Sequence, residues 1–572
     1  MPRPIPTVAL VLTVLSLGTV SALAAPPIPA DWPYRANGRP VSGRHGMVSC
    51  VSPVASRVGV EILKQGGNAV DAAVAVAFAL AVTWPEAGNL GGGGFMVVRD
   101  ARHRSYALDY RETAPHRASH DMFVGPNGAT TDWSLTTRLG VGTPGTVQGL
   151  WVAHEKLGHL PWKTLVSPAM QLAKDGFVVD GPLAESFRKY RADLQRDPEA
   201  ARLFLPKGEP PKAGQKLIQA DLARTLAAIR DRGPAGFYRG PVARAIASDM
   251  AAHGGLVDEQ DLRTYRAVWR KPLSFRYHGR EIVSMPPPSS GGVLLGQMLE
   301  MLEHDDLKTL GYHTAPMIHL VAEVERRAFA DRNAYLGDPD FVANPLPALL
   351  DPAYAQQRRA TIDPERATPA YSTRPGLAEH PETTHFVVVD REGNAVSNTY
   401  TLNGAYGTGI VAPGTGVLLN NEMDDFATRP GQPNLFGLVQ GERNAVAPGK
   451  RMLSSMSPSI LLDPKGRFAM AVGSPGGSTI PTTTLQVILN VLDYGMNVRE
   501  AVCAPRFHHQ GLPQTVFVEP KGFSSNVLQR LKDMGHPLEE RPLGDAQAIL
   551  RKPDGTLEGW ADPRKGGVAI AY

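Results

Sequence analysis

Apolar residues recur at helical spacing near the start of the chain. The segment "VASRVGVEILKQGGN" (54–68) keeps this spacing until Gly66 and Gly67, which are typical of a helix C-terminus. Asn68 then predicts the cap of a second helix, with Asp71 three positions later as its capping partner. That second segment, "AVDAAVAVAFALAVT" (69–83), is apolar on nearly every face, so we expect a deeply buried core helix.

The pattern changes along the chain from helical to strand periodicity. A helix is predicted from about Val147, residues 160–275 are mostly helical in pattern, and "VAEVERRAFADRNAYLGDPDF" (321–341) is strongly periodic. "GREIVSMPPPSSGGVLLGQMLEML" (279–302) predicts a strand, a turn and a helix. After about residue 383 short strands dominate, and the predicted ones are "THFVVVD", "AVSNTYTLN", "GVLLNN", "SPSILLD", "RFAMAVGS" and "TVFVEP". The chain therefore predicts sheets covered by helices.

A run of four glycines, Gly91 to Gly94, precedes a predicted strand in "GNLGGGGFMVVRD". A phosphate-binding loop would need a Gly-Lys-Ser/Thr ending and a following helix, and both are missing. The run instead predicts a tight turn, or close backbone packing near a site.

Composition supports a large globular protein. The 572 residues are 42% hydrophobic and 20% charged, and the 58 glycines and 50 prolines are spread along the chain without a long linker. We therefore expect one large domain or a tightly merged pair, despite a length that suggests more. The formal net charge of +4 comes from scattered residues, which argues against nucleic-acid binding and against a polybasic membrane anchor.

The N-terminus has the pattern of a secretory signal peptide. Arg3 precedes an apolar stretch from about Thr7 to Val20, and Ala22–Ala24 forms an A-x-A cleavage pattern. The stretch is short for a membrane span, so an uncleaved anchor is the lesser alternative. We expect residues 1–24 to be removed and the protein to be exported, either to a periplasm or to the medium.

The chain has only two cysteines, Cys50 and Cys503, so it is not a disulfide scaffold. Sequence leaves open whether they form one bridge or two buried thiols. No HExxH and no Cys/His pairs at zinc spacing occur among the 16 histidines, so we expect no metal and no cofactor. A G-x-S-x-G nucleophile elbow is also absent.

A threonine is the remaining candidate nucleophile. Thr383 and Thr384 enter a predicted strand in "PETTHFVVVD" (381–390). Such a pair usually reflects strand propensity alone. If the Glu382–Thr383 bond were cut, however, Thr383 would gain a free α-amine that can act as the base for its own hydroxyl.

Many segments in order resemble the γ-glutamyltranspeptidase family, from about residue 45 to the C-terminus. The longest is "TTHFVVVDREGNAVSNTYTLNGAYGTGIVAPGTGVLLNNEMDDF" (383–426), which resembles the start of that family's small subunit. The others are "GGNAVDAAVAVAFALAVTWPEAGNLGGGGFMVV", "LDYRETAP", "MPPPSSGG", "ADRNAYLGDPDF", "LSSMSPSI", "GSPGGSTI" and "APRFHHQ".

The resemblance implies an α+β protein with the N-terminal-nucleophile hydrolase fold, a four-layer αββα sandwich. It also implies a precursor that cleaves itself between Glu382 and Thr383. A large subunit, 25–382, and a small subunit, 383–572, would then remain together as a heterodimer sharing one domain.

The resemblance implies the catalytic residues as well. Thr383 matches the nucleophile, and Thr401 in "TYTLN" matches the threonine that hydrogen-bonds to it. Gly476 and Gly477 in "GSPGGS" match the oxyanion hole, where glycine lets backbone N–H groups approach a developing oxyanion.

Six further residues match the positions that bind the amino-acid head of the substrate. Those for the α-carboxylate are Arg111, Ser454 and Ser455, and a guanidinium fork suits that group. Those for the α-amine are Asn403, Glu422 and Asp425. In isolation each of these residues has an ordinary structural interpretation, such as a strand end or an acidic turn.

One segment departs from the family pattern. Residues 427–444 resemble the lid loop of bacterial members, which often carry a tyrosine at its tip. Phe436 stands there instead, so the hydroxyl that would reach Asn403 is missing. The balance between water and amine acceptors, the assembly beyond a heterodimer and the physiological substrate stay open.

The implied function is a two-step acyl transfer. Thr383 would take the γ-glutamyl group from glutathione or another γ-glutamyl compound and pass it to water, an amino acid or a dipeptide. One rival is a related acylase that removes a glutaryl group from a β-lactam. Another is a non-enzymatic exported binding protein that keeps the fold but needs no Thr383.

Overall fold

Two seven-stranded antiparallel sheets form the centre of the protein in the computed structural model, which describes residues 29–35, 38–369 and 383–572. Sheet A, in spatial order, consists of Val41–Gly43, Leu557–Ala561, Gln547–Arg551, Phe468–Gly473, Ser459–Leu462, Arg280–Ser284 and Leu273–Tyr277. Sheet B consists of Val568–Ala571, Gly46–Cys50, Thr384–Asp390, Ala395–Thr401, Gly93–Arg99, Ser105–Tyr110 and Val268–Arg270. The predicted signal peptide and Glu382 lie outside the described residues.

The two sheets face each other across an apolar layer. Met47, Phe95 and Val387 of sheet B pack in one cluster with Ile460 and Ile549 of sheet A. Side chains alternate along each strand, so the opposite faces of both sheets point outward and need cover.

Helices supply that cover on both outer faces. Helices Pro53–Lys64, Ala69–Thr83 and Thr146–Leu157 pack on sheet B, and helices Gly291–Leu302, Thr479–Leu492 and Val498–Cys503 pack on sheet A. The other helices of five or more residues are Trp162–Asp175, Gly181–Lys189, Arg191–Gln195, Pro198–Phe204, Ala220–Arg232, Pro241–Ala252, Glu259–Thr264, Ala315–Tyr335, Pro352–Ala360 and Ser525–Asp533. The predicted four-layer αββα fold is confirmed.

The pattern of caps and apolar residues placed the central helix correctly. Asn68 and Asp71 form a reciprocal capping box, and all residues of Ala69–Thr83 are buried. The predicted strand "GVLLNN" is shorter than expected, since only Val417–Leu418 pairs as a strand. Among the described residues no helix is both long enough and apolar enough to cross a bilayer.

The chain's two cysteines are not bonded to each other. Cys50 and Cys503 are both buried free thiols, which decides between the two alternatives left open by the sequence. Burial raises the pKa of each thiol to about 11, so both remain protonated and weakly reactive at neutral pH.

Candidate active site

Strand alternation directs Thr383 into the space between the two sheets. Along the Thr384–Asp390 strand, Phe386 and Val388 pack with the helices, whereas Val387 and Val389 pack between the sheets. By the same alternation Thr383 lies on the face of Val387 and Val389, between the sheets, and it is 5% exposed. Its hydroxyl therefore belongs at the end of the inter-sheet layer, away from the helix-covered face.

Thr401 comes opposite Thr383 through the pairing of the two strands. Thr384 pairs with Tyr400, so one further step in this antiparallel register aligns Thr383 with Thr401. The hydroxyl of Thr401 accepts a hydrogen bond from the Asn403 N–H at 2.9 Å. Asn403 has a φ of 79°, an uncommon backbone state for a residue other than glycine, and both residues line the pocket described below.

Gly92 lets the chain pass close to Thr401. A Cβ at Gly92 would lie 2.0 Å from the Thr401 carbonyl oxygen and 2.8 Å from Asn89 Oδ1. Asn89 itself donates to the same carbonyl at 2.9 Å, so the contact is tightly specified. The glycine run therefore serves close backbone packing beside the site, as predicted.

Gly92→Ala is expected to displace Thr401 and to lower the free energy of unfolding by about 3 kcal/mol, because the nearest atom is a backbone carbonyl oxygen that cannot rotate away. Slower appearance of cleaved product on gels, together with a lower Tm, checks this. Gly181→Ala is the matched control, since a Cβ there has no heavy atom within 4 Å. Equal behaviour of the two variants would contradict the assigned role of Gly92.

Gly476 and Gly477 lie directly before the helix Thr479–Leu492. Both have positive φ, 129° and 56°, in the region that favours glycine. The Thr479 hydroxyl and N–H both donate to the Gly476 carbonyl, at 2.8 and 3.0 Å, which fixes the turn. Gly477 lines the pocket, and the positive end of the helix dipole lies beside it.

Arg111 is buried at the end of strand Ser105–Tyr110 and is held by carboxylates. Its Nη1 donates to Glu422 at 2.6 Å, its Nη2 donates to Asp425, and its Nε donates to the Met452 carbonyl at 3.3 Å. Burial alone would lower the pKa of Arg111, but the carboxylates outweigh it and keep the guanidinium charged. The predicted carboxylate-binding and amine-binding groups are thus ion-paired with each other.

Ser454 and Ser455 reach the same pocket from the sheet A side. The Ser454 backbone pairs with Ser290, whose N–H donates to the Ser454 carbonyl at 2.8 Å. The Ser455 hydroxyl accepts from Arg332 Nη2 at 3.5 Å. Both serines line the pocket together with Glu422 and Asp425.

A single small pocket brings the predicted site together. Its lining includes nine residues named from the sequence: Thr383, Thr401, Asn403, Glu422, Asp425, Phe436, Ser454, Ser455 and Gly477. Arg111 stands behind this wall through its two ion pairs, and Gly476 precedes Gly477 without lining the pocket. Thr383, the glycine turn and the two carboxylates that pair with Arg111 therefore lie at one small pocket.

The sequence profile of the γ-glutamyltranspeptidase family matches residues 55–572. The chain belongs to this family. A glutathione hydrolase proenzyme from Escherichia coli (strain K12) is 48% identical over 97% of each chain. Among solved structures, a cephalosporin acylase from Bacillus halodurans superposes with a TM-score of 0.82 at 28% identity, covering 95% of this chain and 99% of that one. A γ-glutamyltranspeptidase from Helicobacter pylori is 42% identical with a TM-score of 0.55, covering 56% of this chain and 92% of that one.

Two buried charged residues near the site were not predicted from the sequence. Glu112 lies 3.8 Å from Arg111 Nη1, and neither of its oxygens has a hydrogen-bond partner. Burial raises its pKa to about 8, although Arg111 opposes the shift. Arg332 lies behind Ser455, and burial lowers its pKa to about 10. Both occur in quoted family segments, "LDYRETAP" and "ADRNAYLGDPDF", but only the fold brings them to the pocket.

Phe436 covers the pocket as an aromatic side chain without a hydroxyl. It is 4% exposed, and its carbonyl accepts from Gln510 Nε2 at 2.8 Å. The loop that carries it is tied to the acidic turn, since the Leu435 N–H donates to Asp424 at 2.7 Å. An aromatic side chain is therefore present at this position, and Phe436 itself has no hydroxyl to offer Asn403.

His385 supports the strand that begins at the nucleophile. Its ring packs against Gly473, and its Nδ1 lies 2.8 Å from the Thr399 hydroxyl. Burial lowers the pKa of His385 to about 3, so the folded protein keeps the imidazole neutral. His385 therefore packs between the sheets, two positions along the chain from Thr383.

The His385→Gln variant tests this burial through acid stability. The unfolded chain takes up a proton on His385 below about pH 6.5, whereas the folded chain does so only near pH 3. Stability from the neutral ring is therefore present above pH 6.5 and lost as pH falls towards 3, at about 1.4 kcal/mol per pH unit. Urea titrations between pH 7 and 4 should show a shallower acid loss in His385→Gln than in the exposed-site control His45→Gln. Identical pH dependence in both variants would contradict a buried neutral His385.

Two clusters of potential metal-ligating side chains occur elsewhere among the described residues. One is buried and contains His319, Glu323 and His536, and the other contains His116, Asp258 and Asp261. In the buried cluster the Glu323 oxygens already accept from Arg327 and Thr368. None of these side chains lines the candidate active site.

Proposed function

We propose that this protein transfers γ-glutamyl groups from glutathione and related compounds to water, amino acids or dipeptides, with Thr383 as the nucleophile. The observation that carries the proposal is the buried ion pair of Arg111 with Glu422 and Asp425 in the wall of the pocket that contains Thr383. Membership of the γ-glutamyltranspeptidase family supports it.

The charge balance of the pocket favours a zwitterionic substrate head. A γ-glutamyl group carries an α-carboxylate and an α-ammonium, so it can exchange partners with the existing ion pairs. Its carboxylate takes Arg111, and its ammonium takes Glu422 and Asp425. Both charges of the substrate head are then paired in a buried site, where an uncompensated charge is strongly unfavourable.

Acyl transfer proceeds in two steps. Thr383 Oγ attacks the γ-carbonyl carbon, its proton passes to the free α-amine, and the backbone N–H groups at Gly476 and Gly477 stabilise the oxyanion. The C–N bond of the donor breaks, the leaving amine takes the proton, and a γ-glutamyl ester on Thr383 remains. Water or an acceptor amine then attacks the ester and restores the hydroxyl.

Self-cleavage precedes this activity. Thr383 Oγ attacks the Glu382 carbonyl carbon, the peptide bond becomes an ester with release of the Thr383 amine, and water hydrolyses the ester. The products are a large subunit, 25–382, and a small subunit, 383–572. Strand pairing supports their continued association, because Thr384–Asp390 lies between Gly46–Cys50 of the large subunit and Ala395–Thr401 of the small one.

The proposed route to function includes export. The signal-peptide pattern of residues 1–24 supports removal of this segment and action in a periplasm or outside the cell. We expect neither a metal nor an organic cofactor to take part, since each step above uses groups of this chain.

Asp425→Asn separates the proposal from its nearest rival, a glutaryl β-lactam acylase. A glutaryl group lacks the α-ammonium, so it has no use for Asp425. For a γ-glutamyl anilide, the variant is expected to lower kcat/KM roughly 30-fold, which corresponds to about 2 kcal/mol of lost transition-state stabilisation. Most of this change should be an increase in KM. For a glutaryl anilide the change is expected to be small or favourable.

The wild-type comparison of the two anilides completes the test. Faster turnover of the glutaryl compound would overturn the γ-glutamyl assignment in favour of the acylase. A protein that binds γ-glutamyl compounds without turnover and stays uncleaved would instead be the non-enzymatic binding protein.

A further inference from the structure

Four hairpin turns gather at the end of the sandwich opposite Thr383. They join Gly93–Arg99 to Ser105–Tyr110, Thr384–Asp390 to Ala395–Thr401, Ser459–Leu462 to Phe468–Gly473, and Gln547–Arg551 to Leu557–Ala561. Thr383 and Arg391 flank the seven-residue Thr384–Asp390 strand, so this end lies roughly 20 Å or more from the nucleophile. It has no part in the chemistry proposed above.

Five arginines line one open cleft between these turns. They are Arg44, Arg99, Arg391, Arg467 and Arg551, and His103 lies beside them. The chain as a whole is nearly balanced, with 59 basic and 55 acidic residues, so this is a local concentration of positive charge. Three carboxylates, Asp100, Asp390 and Glu392, also line the cleft, so its arginines outnumber its acidic residues by five to three. An excess of one sign of charge attracts counter-ions of the other sign.

Arg99 is a largely buried cation that forms no direct ion pair among the described residues. It is 9% exposed, yet its guanidinium donates only to neutral oxygens, those of Ser105 at 2.8 Å and Gly466 at 2.5 Å. Its Nε has no hydrogen-bond partner. Burial lowers the pKa of Arg99, and the nearby carboxylates of Glu281 and Asp100 oppose this shift only in part. A buried cation of this kind is stabilised when an anion occupies the cleft.

The acidic groups of the lining do not neutralise these arginines. Asp390 accepts hydrogen bonds from the Ala69 N–H and from Asn394, and Asp100 pairs with Arg104. Among the residues that the structure describes, no carboxylate forms an ion pair with Arg44, Arg391 or Arg551, whereas Arg467 is paired with Asp463. Glu392 also lines the cleft. Its carboxylate is exposed and forms no ion pair with any described residue.

We propose that this cleft is a binding site for a phosphate-bearing anion. Guanidinium groups match a tetrahedral oxyanion through parallel N–H donors, and several of them converging on one cleft suit a multiply charged group better than a single carboxylate. The shared chemistry fits both free phosphate and the headgroup of an anionic phospholipid. The site is independent of Thr383 and of the proposed transferase activity.

Isothermal titration of the full-length protein with inorganic phosphate at low salt tests the site. Wild type is expected to bind about one phosphate per chain. Arg44→Gln combined with Arg551→Gln should weaken binding at least about tenfold, because two charge-assisted contacts are lost. Glu392→Gln should tighten binding by removing an opposing charge. The control combines Arg57→Gln with Arg239→Gln, two exposed arginines outside the cleft with the same total change in charge.

The outcomes separate the source of the anion. Phosphate binding that is lost only in the cleft variant supports the site. A second assay measures sedimentation of the protein with vesicles of phosphatidylglycerol and phosphatidylcholine. Sedimentation that is lost in the same variant and displaced by phosphate identifies a lipid headgroup. Phosphate binding without sedimentation identifies a free phosphate. No phosphate binding in wild type, or equal weakening in both double variants, would overturn the proposal.

Discussion

Thr383→Ala is expected to give a single uncleaved chain with no measurable γ-glutamyl hydrolysis. The variant lacks the hydroxyl that attacks Glu382, so no free α-amine forms at residue 383. Loss of a covalent nucleophile together with its base lowers turnover by at least about 10⁴-fold. Gel analysis of the purified protein and a γ-glutamyl anilide assay measure the two effects separately.

Two further variants make this result specific. Thr383→Ser keeps a hydroxyl and should retain slower cleavage and some activity. Thr384→Ala should cleave normally, because Thr384 alternates to the helix-covered face and its buried hydroxyl has no hydrogen-bond partner. Cleavage of Thr383→Ala would contradict Thr383 as the nucleophile. Loss of cleavage in a folded Thr384→Ala would contradict it as well.

Arg111→Gln is expected to have the second largest effect, on stability and on substrate binding together. Removing the guanidinium leaves Glu112, Glu422 and Asp425 as buried carboxylates without their shared cation. Breaking such a pair costs about 3–5 kcal/mol in folding free energy. It also removes the group proposed to bind the α-carboxylate. The resulting decrease in kcat/KM should correspond to about 2–5 kcal/mol of lost transition-state stabilisation. Urea unfolding and initial-rate kinetics measure these two losses.

Arg111→Lys separates the two roles. Lysine restores a cation, so much of the stability should return, but a single ammonium cannot replace the planar fork that contacts both Glu422 and Asp425. We therefore expect near-normal unfolding with KM still raised. Recovery of both stability and KM in Arg111→Lys would show that charge alone matters and that the fork geometry does not.

Local sequence signals predicted the parts of the fold that depend on local physics. The Ala69–Thr83 helix follows from a cap at Asn68 and continuous apolar character, and both are readable within one segment. Strands such as Thr384–Asp390 likewise follow from a run of β-branched residues. The overall four-layer arrangement came from the family resemblance, since periodicity alone does not state which strands pair.

Short strands whose partners are distant in sequence were not predicted. Val41–Gly43 has only three residues and pairs with Leu557–Ala561, more than 500 positions away. Val268–Arg270 lies in a segment whose pattern is mostly helical, yet it forms the edge of sheet B. In such segments tertiary pairing decides the conformation, and local propensity carries little information.

The same limit applies to the site. Most of the residues carried over from the family line one pocket, but the ion pair of Arg111 with Glu422 joins positions 311 apart in sequence. The unpartnered Glu112 and the buried Arg332 become visible only through burial and distance. Sequence motifs thus predicted which residues belong to the site. The fold shows in addition that Arg111 is already paired with Glu422 and Asp425 before substrate binds.

Intact-mass measurement of the purified protein, before and after a brief quenched incubation with a γ-glutamyl substrate, tests the central claim most directly. We predict two polypeptides, the smaller with the mass of residues 383–572, and a gain of one γ-glutamyl group on that smaller polypeptide after incubation. A single uncleaved chain, a small polypeptide that starts at another residue, or an adduct on the larger polypeptide would contradict Thr383 as the N-terminal nucleophile.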